Sequence, residues 1–342
     1  MRPSRPVTII GGGLAGLSLG VTLRAKGVPV RIVEAGHYPR HRVCGEFITG
    51  LDDATIARLD IGAALRDAGG ARHVSWFRRD AAVARLALPA PARTISRHAL
   101  DARLAELFVA AGGQLSTRTR CSQPMVEPGV VQASGRPGIG TSPWLGLKVH
   151  ARQLAIADEL ELHLGDGAYV GLSAVEDGWT NLCGLFRRRA GLHPRPGQAL
   201  HDYLAASGLR SLAARLAAAE ARPGSLCAVA GFGFDSHVHR GDGVRLGDAC
   251  AMIPPFTGNG MAMAFISADV ARDPLVAWSR DELSWPETSQ AIHAALRRTF
   301  HRRLTGAAWL HPFLLAASGQ RCLGTVARTG LLPLRPLYHL LH

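Results

Sequence analysis

The chain has 342 residues, of which 47% are hydrophobic and 19% charged, and its formal net charge is +13. That length can form one large domain or two, and the composition is typical of a globular protein rather than a disordered one. The positive charge comes mostly from scattered arginines, without a basic stripe interleaved with aromatic residues, so we expect no nucleic-acid binding. Anionic cofactors or an acidic acyl carrier protein would suit the positive electrostatic field of the protein.

The sequence also limits where the protein can reside. Its uninterrupted apolar runs fall short of the roughly 18 residues that a membrane-spanning helix needs. The N-terminus leads directly into "PVTIIGGG" without a cleavable signal, which predicts a cytoplasmic protein. The six cysteines lack C-x-x-C pairs, so we expect neither a disulfide framework nor a metal site.

The first predicted unit runs from strand to glycine turn to helix to strand in "PVTIIGGGLAGLSLGVTLRAKGVPVRIVEA". Gly11, Gly13 and Gly16 stand in G-x-G-x-x-G register. The first glycine makes a tight turn, the second admits a pyrophosphate to the backbone, and the third lets the helix pack closely on the sheet. Glu34 ends the second strand, where a carboxylate can accept hydrogen bonds from an adenosine ribose. This unit predicts dinucleotide binding but does not separate FAD from NAD.

A second glycine-rich stretch, "RLGDACAMIPPFTGNGMAMAFISADVA", occupies residues 245–271. We expect "GVRLGDA" to form a buried strand ending at Gly247 and Asp248, with the aspartate accepting hydrogen bonds from a sugar-alcohol chain. A helix should follow the Pro254-Pro255 turn. The amides around Gly258, Asn259 and Gly260 would then face the electron-rich edge of a flavin ring.

Together these motifs resemble the FAD-dependent oxidoreductases that include geranylgeranyl reductases, flavin halogenases and the para-hydroxybenzoate hydroxylase type of monooxygenase. Three segments match between them in order: "RVCGEFI", "ISRHALDARLAELFVAAGGQL" and "GAYVGLSAVEDGWTNLCGLF". The resemblance covers about residues 5 to 285. It implies one bound FAD, with Arg97 beside the flavin. The candidate cofactor-binding residues are Gly11, Gly13, Ala15, Gly16, Glu34, Arg42, Cys44, Arg97, Gly247, Asp248, Pro255, Gly258, Asn259, Gly260 and Met261.

The chain departs from the family pattern in its middle motif, where Ser134-Gly135-Arg136 stands in place of an Asp-Gly pair. This departure weakens the assignment of a nicotinamide-handling role to that loop. The halogenase Trp-x-Trp-x-Ile-Pro run is absent, and "AYVGLS" replaces the Tyr-x-Trp-x-Phe-Pro run of archaeal reductases. A second glycine motif for a separate NAD(P)H domain is absent too.

The resemblance places a substrate wall in the sheet strands after residue 143. Its apolar candidates suit a hydrophobic substrate. They are Trp144, Tyr169, Leu172, Trp179, Leu182, Leu185 and Phe186.

Four residues are candidates for catalysis: Cys44, Lys148, His150 and Tyr169. Strand alternation puts Lys148 and His150 on one face. There they would meet a substrate oxyanion or be solvated. Cys44 would be a reactive thiol or would pack beside FAD, and Cys250 would be a small residue beneath the cofactor.

We therefore expect a mixed α/β fold: a Rossmann-like FAD domain, an interleaved β-sheet substrate domain, and C-terminal helices that cap the substrate cavity or make a peripheral membrane contact. The expected function is hydroxylation or epoxidation of a hydrophobic aromatic or polyketide-like secondary metabolite with FAD, NAD(P)H and O2. Reduction of a C=C bond, a dehydrogenase or oxidase reaction, and a flavoprotein without turnover stay open. The predicted boundaries are 1–70, 92–143 and 226–285 for the cofactor domain, 71–91 and 144–225 for the substrate domain, and 286–342 for the C-terminal helices.

Overall fold

A computed structural model describes residues 4–121, 126–135, 142–195, 197–239, 241, 243–329 and 334–341. Within these residues the chain combines strands and helices in a mixed α/β architecture, as the sequence predicts. The strands are β1 Val7–Ile10, β2 Val30–Val33, β3 Phe47–Ile48, β4 Gly69–Arg78, β5 Ala81–Thr94, β6 Gln114–Ser116, β7 Val130–Gln132, β8 Trp144–Arg152, β9 Leu160–Gly165, β10 Ala168–Ala174, β11 Thr180–Arg187, β12 Glu220–Ala221, β13 Cys227–Ala230 and β14 Val244–Arg245. The helices are α1 Leu14–Ala25, α2 Asp53–Leu59, α3 Arg97–Ala110, α4 Ala199–Ala206, α5 Arg210–Ala217, α6 Gly260–Ser279, α7 Trp285–Leu315, α8 Ala317–Arg328 and α9 Leu334–Leu341.

The smaller sheet is parallel and has the order β14-β7-β1-β2-β6. Its central strands are short and apolar because both faces are covered, as the buried Ile9 and Ile32 show. Helix α1 follows β1 directly, which gives the predicted strand–turn–helix–strand unit. The carboxyl ends of β1 and β2 therefore meet the N-terminus of α1 at one edge of the sheet.

The larger sheet has the order β12-β8-β11-β10-β9-β4-β5-β3, and β13 also pairs with β8. Alternation along β8 sends Leu147 and Val149 into a core with α4 and α5, whereas Lys148 and His150 point to the opposite face. That opposite face meets the segment between β2 and α2, so the two sheets enclose the space between them.

The predicted domain boundaries stay a prediction. Strands β3 and β13 pair within the larger sheet, although their residues fall in segments predicted for the cofactor domain. The predicted strand "GVRLGDA" is shorter than expected: β14 holds only two residues, and Gly247–Ala249 form a single helical turn. Gly247 adopts a φ of +58°, which ends the extended conformation before Asp248.

The C-terminal region consists of α7, α8 and α9. Helix α7 begins with a capping box in which Ser284 and Glu287 bond each other's backbone amides. Its inner face is buried, with Leu296, Phe300 and Leu304 fully or almost fully covered. Across the described residues, every helix is too short or too polar to cross a membrane.

Candidate active site

A cavity of about 800 Å³ lies where β1, β2, α1 and α6 converge. Its volume is within the roughly 300–1,000 Å³ typical of ligand pockets. Most of the predicted cofactor-binding residues line it, although they come from distant parts of the chain. These are Gly11, Gly13, Ala15, Glu34, Arg42, Cys44, Arg97, Gly247, Asp248, Pro255, Gly258, Gly260 and Met261.

The three glycines of the first motif have different surroundings. Gly11 has a φ of +108°, and a Cβ there would collide with the carbonyl of Ala133. A Cβ on Gly16 would collide with the carbonyl of Gly11, so this glycine permits close packing of α1 rather than lining the cavity. A Cβ on Gly13 would come no closer than 3.9 Å to its nearest neighbour, Arg97 Nη2, so this backbone is open to a ligand.

The N-terminus of α1 presents unused amides to the cavity. The backbone bond from Leu17 N–H to Gly13 C=O, 2.9 Å long, is the first of the helical ladder. The amides of Leu14 and Ala15 precede it, and both residues line the cavity. Such amides, with the positive end of the helix dipole, form an anion site.

The Glu34 carboxylate is held by the turns around it. It accepts the Gly12 amide at 2.7 Å, the Gly36 amide at 2.6 Å and Arg40 Nη2 at 2.6 Å. A carboxylate offers about four acceptor positions, so acceptor capacity is left for a ligand hydroxyl. Tyr38 closes the same corner by donating its hydroxyl to the Gly12 carbonyl at 2.5 Å.

Two arginines in this cavity share one buried carboxylate. Asp101 is fully buried, accepts Arg97 Nε at 2.7 Å and Arg97 Nη2 at 2.8 Å, and accepts Arg42 Nε at 3.0 Å. Among the described residues, the buried Nη2 of Arg42 has no hydrogen-bond partner, since Glu34 Oε2 is 3.9 Å away. Burial, followed by the nearby Arg97, lowers the pKa of Arg42. An unpartnered arginine nitrogen and free helix amides that line one cavity fit a ligand that carries phosphate.

The far end of the cavity is formed where α6 begins. Gly258 is left-handed, with φ +68°, and a Cβ there would collide with the ring of Phe47. A Cβ on Gly260 would enter open space. The hydrogen bond from Met263 N–H to Asn259 C=O, at 2.8 Å, opens the helical ladder, so the amides of Gly260 and Met261 lie before it. A flat ring can approach this backbone closely.

Asn259 is directed away from the cavity. Its side chain is fully buried and donates to the Leu341 carbonyl at 2.8 Å, which ties the start of α6 to the end of α9. In the middle motif, Ser134 and Gly135 line the cavity, and Arg136 lies outside the described residues.

Lys148 and His150 converge on Glu46 in a fully buried cluster. Glu46 Oε1 is 3.0 Å from Lys148 Nζ, and Glu46 Oε2 is 2.5 Å from His150 Nε2. The Arg97 amide also donates to Glu46 Oε1, at 3.0 Å. All three side chains have zero exposure, so the expectation of a solvated Lys148 and His150 is wrong, although they do share a face. The cluster anchors the Cys44-Gly45 segment and the start of α3, which carries Arg97.

A second, smaller cavity of about 270 Å³ adjoins the first. The linings of the two cavities share Cys44, Gly45 and Pro255, so the cavities meet at the Cys44-Gly45 segment. The walls of the smaller cavity are mostly aliphatic and aromatic, and helices α7 and α9 contribute Leu310, Leu314, Leu337 and Leu341. The C-terminal helices therefore do line the predicted substrate region.

The predicted substrate wall is divided between several environments. Tyr169 and Leu185 line the smaller cavity, and Leu172 borders it while belonging to the core beneath α4 and α5. Leu182 and Phe186 pack instead in the core beneath α4 and α5. Trp144 contacts His311 and Phe234 beside the cavity, and Trp179 is held between Arg152 and Arg222.

Tyr169 and Cys44 are the two predicted catalytic residues that line the smaller cavity. Burial raises the pKa of the Tyr169 hydroxyl well above its usual value, so the hydroxyl stays protonated. The Phe256 backbone opposes this rise in pKa in part, although the hydroxyl makes no hydrogen bond of normal geometry to the described residues. Burial also raises the pKa of the Cys44 thiol, with Arg97 opposing this in part, which favours packing over nucleophilic chemistry. Cys250 is buried, and burial raises its pKa to about 12.

Sequence reasoning missed four residues of this region: Glu46, Glu161, Phe232 and His311. Glu161 lines the smaller cavity and is bound by His163 Nε2 at 2.7 Å and Arg215 Nη1 at 3.0 Å. Burial alone would raise the pKa of Glu161, but these hydrogen bonds lower it to about 2. His311 is surrounded by aromatic rings, and burial lowers its pKa to about 4. For Glu46, the position of a charged residue inside the apolar segment "RVCGEFI" offered a signal.

The fold is similar to that of several solved structures, among them flavin-dependent enzymes, which agrees with the sequence resemblance at the level of the fold. Among solved structures, HpxO from Klebsiella pneumoniae, complexed with FAD and uric acid, is 19% identical with a TM-score of 0.75, covering 98% of this chain and 96% of that one. The p-nitrophenol 4-monooxygenase PnpA from Pseudomonas putida DLL-E4 is 12% identical with a TM-score of 0.74, covering 100% and 97%. PqsL from Pseudomonas aeruginosa, complexed with 2-aminobenzoylacetate, is 16% identical with a TM-score of 0.70, covering 98% of each chain. No protein-family model and no curated protein matches the sequence.

Proposed function

We propose that this protein is a FAD-dependent monooxygenase that hydroxylates or epoxidises a hydrophobic aromatic or polyketide-like metabolite, with NAD(P)H as the electron donor. The observation that carries the proposal is the pair of cavities that meet at Cys44, Gly45 and Pro255. One has the dimensions and anion-binding groups that a dinucleotide needs. The other is an apolar space of a size for a small ring system.

The larger cavity fits FAD by its own residues. The amides at the start of α1 and the unpartnered Arg42 Nη2 would hold the pyrophosphate, and Glu34 would accept from the adenosine ribose. Asp248 would accept from the ribityl chain. The open backbone at Gly260 would face the flavin ring. When bound, FAD would supply the redox chemistry with NAD(P)H and O2.

The smaller cavity sets the class of substrate. Its single acidic lining residue, among those the structure describes, is Glu161, and the low pKa keeps this carboxylate ionised at neutral pH. That carboxylate is already bound by His163 and Arg215, and the described lining residues include no lysine, arginine or histidine. An anionic substrate would therefore lose its hydration without meeting a counter-charge, so an uncharged ring is favoured. The protonated Tyr169 hydroxyl would donate a hydrogen bond to one substrate oxygen and so orient the ring. The apolar walls would exclude water from the reacting atoms.

Lys148 and His150 would act through Glu46 in this scheme. They hold the segment that separates the two cavities, and they are positioning residues by their contacts. Cys44 would form a neutral part of the wall. These roles refine the predicted catalytic set, of which only Tyr169 would touch substrate through a polar atom.

The test has two stages. The purified protein should hold or rebind FAD, and Asp248→Ala should lose the flavin while keeping the urea unfolding midpoint of the wild-type apo-protein. The FAD-loaded protein is then given NADH or NADPH with 2-naphthol or with 6-hydroxy-2-naphthoate, which differ by one carboxylate. We expect 2-naphthol to bind more tightly and to raise NAD(P)H oxidation and O2 uptake together.

Other outcomes separate the alternatives. NAD(P)H consumption that proceeds equally without O2 and reduces a C=C bond would replace the proposal with a reductase. Tight FAD binding without NAD(P)H oxidation under any condition would favour a flavoprotein without turnover. Stronger binding of the naphthoate would refute the assignment of an uncharged substrate.

A further inference from the structure

The outer face of α7 carries an exposed stripe that the active site does not use. Arg298, Arg302, Trp309 and Phe313 follow one another at intervals of four, seven and four residues, which places them on one side of the helix. All four are exposed. The side chains of Trp309 and Phe313 are 64% and 43% exposed, and their ring centroids lie 5.2 Å apart. We call these four residues the α7 stripe.

Helix α9 extends the apolar end of the α7 stripe. Leu340 packs over Gly306, where an added Cβ would be 2.8 Å from Leu340 Cγ, and its side chain remains 37% exposed. Two aromatic rings and a leucine are thus grouped at the surface. Grouped exposed apolar side chains of this kind mark an interaction site more often than isolated ones do.

The same part of the chain is strongly basic. After Glu287 the sequence contains seven arginines and no aspartate or glutamate. Apart from the half-buried Arg303, these arginines are exposed. Because the charged side chains of this segment are all positive, it attracts an anionic partner. The arginines are Arg297, Arg298, Arg302, Arg303, Arg321, Arg328 and Arg335.

The α7 stripe lies on the outer side of the helices that close the smaller cavity. Leu310 and Leu314 line that cavity from α7, next in sequence to the exposed Trp309 and Phe313. Leu341 lines it from α9, next to the exposed Leu340. One pair of helices therefore separates the apolar cavity from the apolar surface.

We propose that the α7 stripe docks on the surface of an anionic lipid bilayer. Trp309, Phe313 and Leu340 enter the interfacial region, and Arg298 and Arg302 contact lipid phosphates. Aromatic rings favour the headgroup level of a bilayer and nearby arginines attract its anionic lipids, so a surface that presents both is suited to contact it. Docking brings the wall of the smaller cavity to the bilayer, from which an apolar substrate can be taken. Only this last consequence rests on the proposed function.

The experiment is flotation of the full-length, FAD-loaded protein with vesicles of phosphatidylcholine alone or mixed with phosphatidylglycerol. We expect binding to the mixed vesicles that weakens as salt is added. The variant Trp309→Ser/Phe313→Ser should bind at least about tenfold more weakly, which is about 1.4 kcal/mol. The variant Arg298→Gln/Arg302→Gln should lose about fivefold per arginine, and only on the anionic vesicles, since each contributes about 1 kcal/mol.

Two matched variants control for general changes at the surface. Val109→Ser removes another exposed apolar side chain, on α3, and Arg210→Gln another exposed arginine, on α5. Both should bind vesicles as the wild type does. Every variant is compared at an unchanged urea midpoint and flavin absorbance, so misfolding is recognised.

Three results would overturn the proposal. They are equal binding to neutral and anionic vesicles, unchanged binding of the Trp309→Ser/Phe313→Ser variant, or the absence of vesicle binding. In the third case, a fall in solution mass of that variant would show that a second copy of the chain covers the stripe. Binding of an acidic carrier protein without vesicle binding would show an acidic partner instead. Vesicle binding is read without turnover, so a failure to oxidise NAD(P)H or to hydroxylate a substrate leaves this test intact.

Discussion

Replacing Glu46 by glutamine should destabilise the protein by about 3–5 kcal/mol, because it leaves the ammonium group of Lys148 without its counter-charge. The two atoms of the ion pair are 3.0 Å apart, and neither side chain has any exposed surface. Water cannot replace the lost carboxylate without a structural change. The shape of the side chain and part of its hydrogen bonding to His150 are retained, so the loss reports the charge.

Urea unfolding, followed by circular dichroism, measures the change. The double variant Glu46→Gln/Lys148→Met should recover at least about 1 kcal/mol, since it removes the unpaired charge. Lys26 is the only other lysine of the chain and is exposed, so Lys26→Met is the matched control and should change stability by no more than about 0.5 kcal/mol. A loss below about 1 kcal/mol for Glu46→Gln, or a double variant no more stable than the single, would refute the argument that a buried charge pair holds this segment.

Three further predictions concern the cavities. Gly260→Val should lower FAD occupancy without lowering the apo-protein's urea midpoint, because the valine side chain enters open cavity space. Gly16→Val should instead destabilise the apo-protein, because its side chain collides with Gly11. Equal behaviour of the two variants would contradict these assignments. Tyr169→Phe should weaken binding of 2-naphthol about 5- to 10-fold, as expected for one hydrogen bond, with FAD binding unchanged, and an unaltered affinity would remove Tyr169 from the substrate contact. Burial lowers the pKa of His311 to about 4, so between pH 6.5 and 4 the unfolded chain binds a proton at this residue that the folded chain does not. Acidification through that range should therefore lower the free energy of unfolding of the wild type by up to about 3 kcal/mol more than that of His311→Gln. Parallel plots of unfolding free energy against pH for the two proteins would contradict this.

The glycine motifs were predictable because backbone geometry restricts them to one residue type. Gly11 must adopt φ +108°, and Gly16 must leave room for the Gly11 carbonyl, so the spacing of these glycines is enough to identify the turn. Glu34 follows from the same unit, since it ends the neighbouring parallel strand. The prediction that Gly11, Arg97 and Asp248 line one cavity came from the family resemblance, because no local sequence pattern connects these three residues.

The side-chain contacts that the sequence did not reveal join distant segments of the chain. Asn259 lies in a glycine-rich helix start, and its side-chain amide donates a hydrogen bond to the Leu341 carbonyl, 82 residues away. Lys148 and His150 show strand alternation, but their burial depends on Glu46, more than one hundred residues earlier in the chain. Strand alternation predicts which face of the sheet a side chain occupies. Whether a charged side chain on that face is solvated or buried depends on the residues that pack against it.

One signal in the sequence could have indicated the buried cluster. The chain uses arginine almost everywhere, with lysine at only two positions, and one of these lies in the apolar stretch "LGLKVHAR". A compact ammonium group can be enclosed by one carboxylate and one imidazole, whereas a planar guanidinium needs more partners. Lys148 has this environment, with Glu46 Oε1 at 3.0 Å and His41 Nδ1 at 3.2 Å. In an arginine-rich protein, an isolated lysine within a strand therefore indicates a small buried ion pair. Its carboxylate partner is expected among the acidic residues of apolar segments, as Glu46 in "RVCGEFI" is.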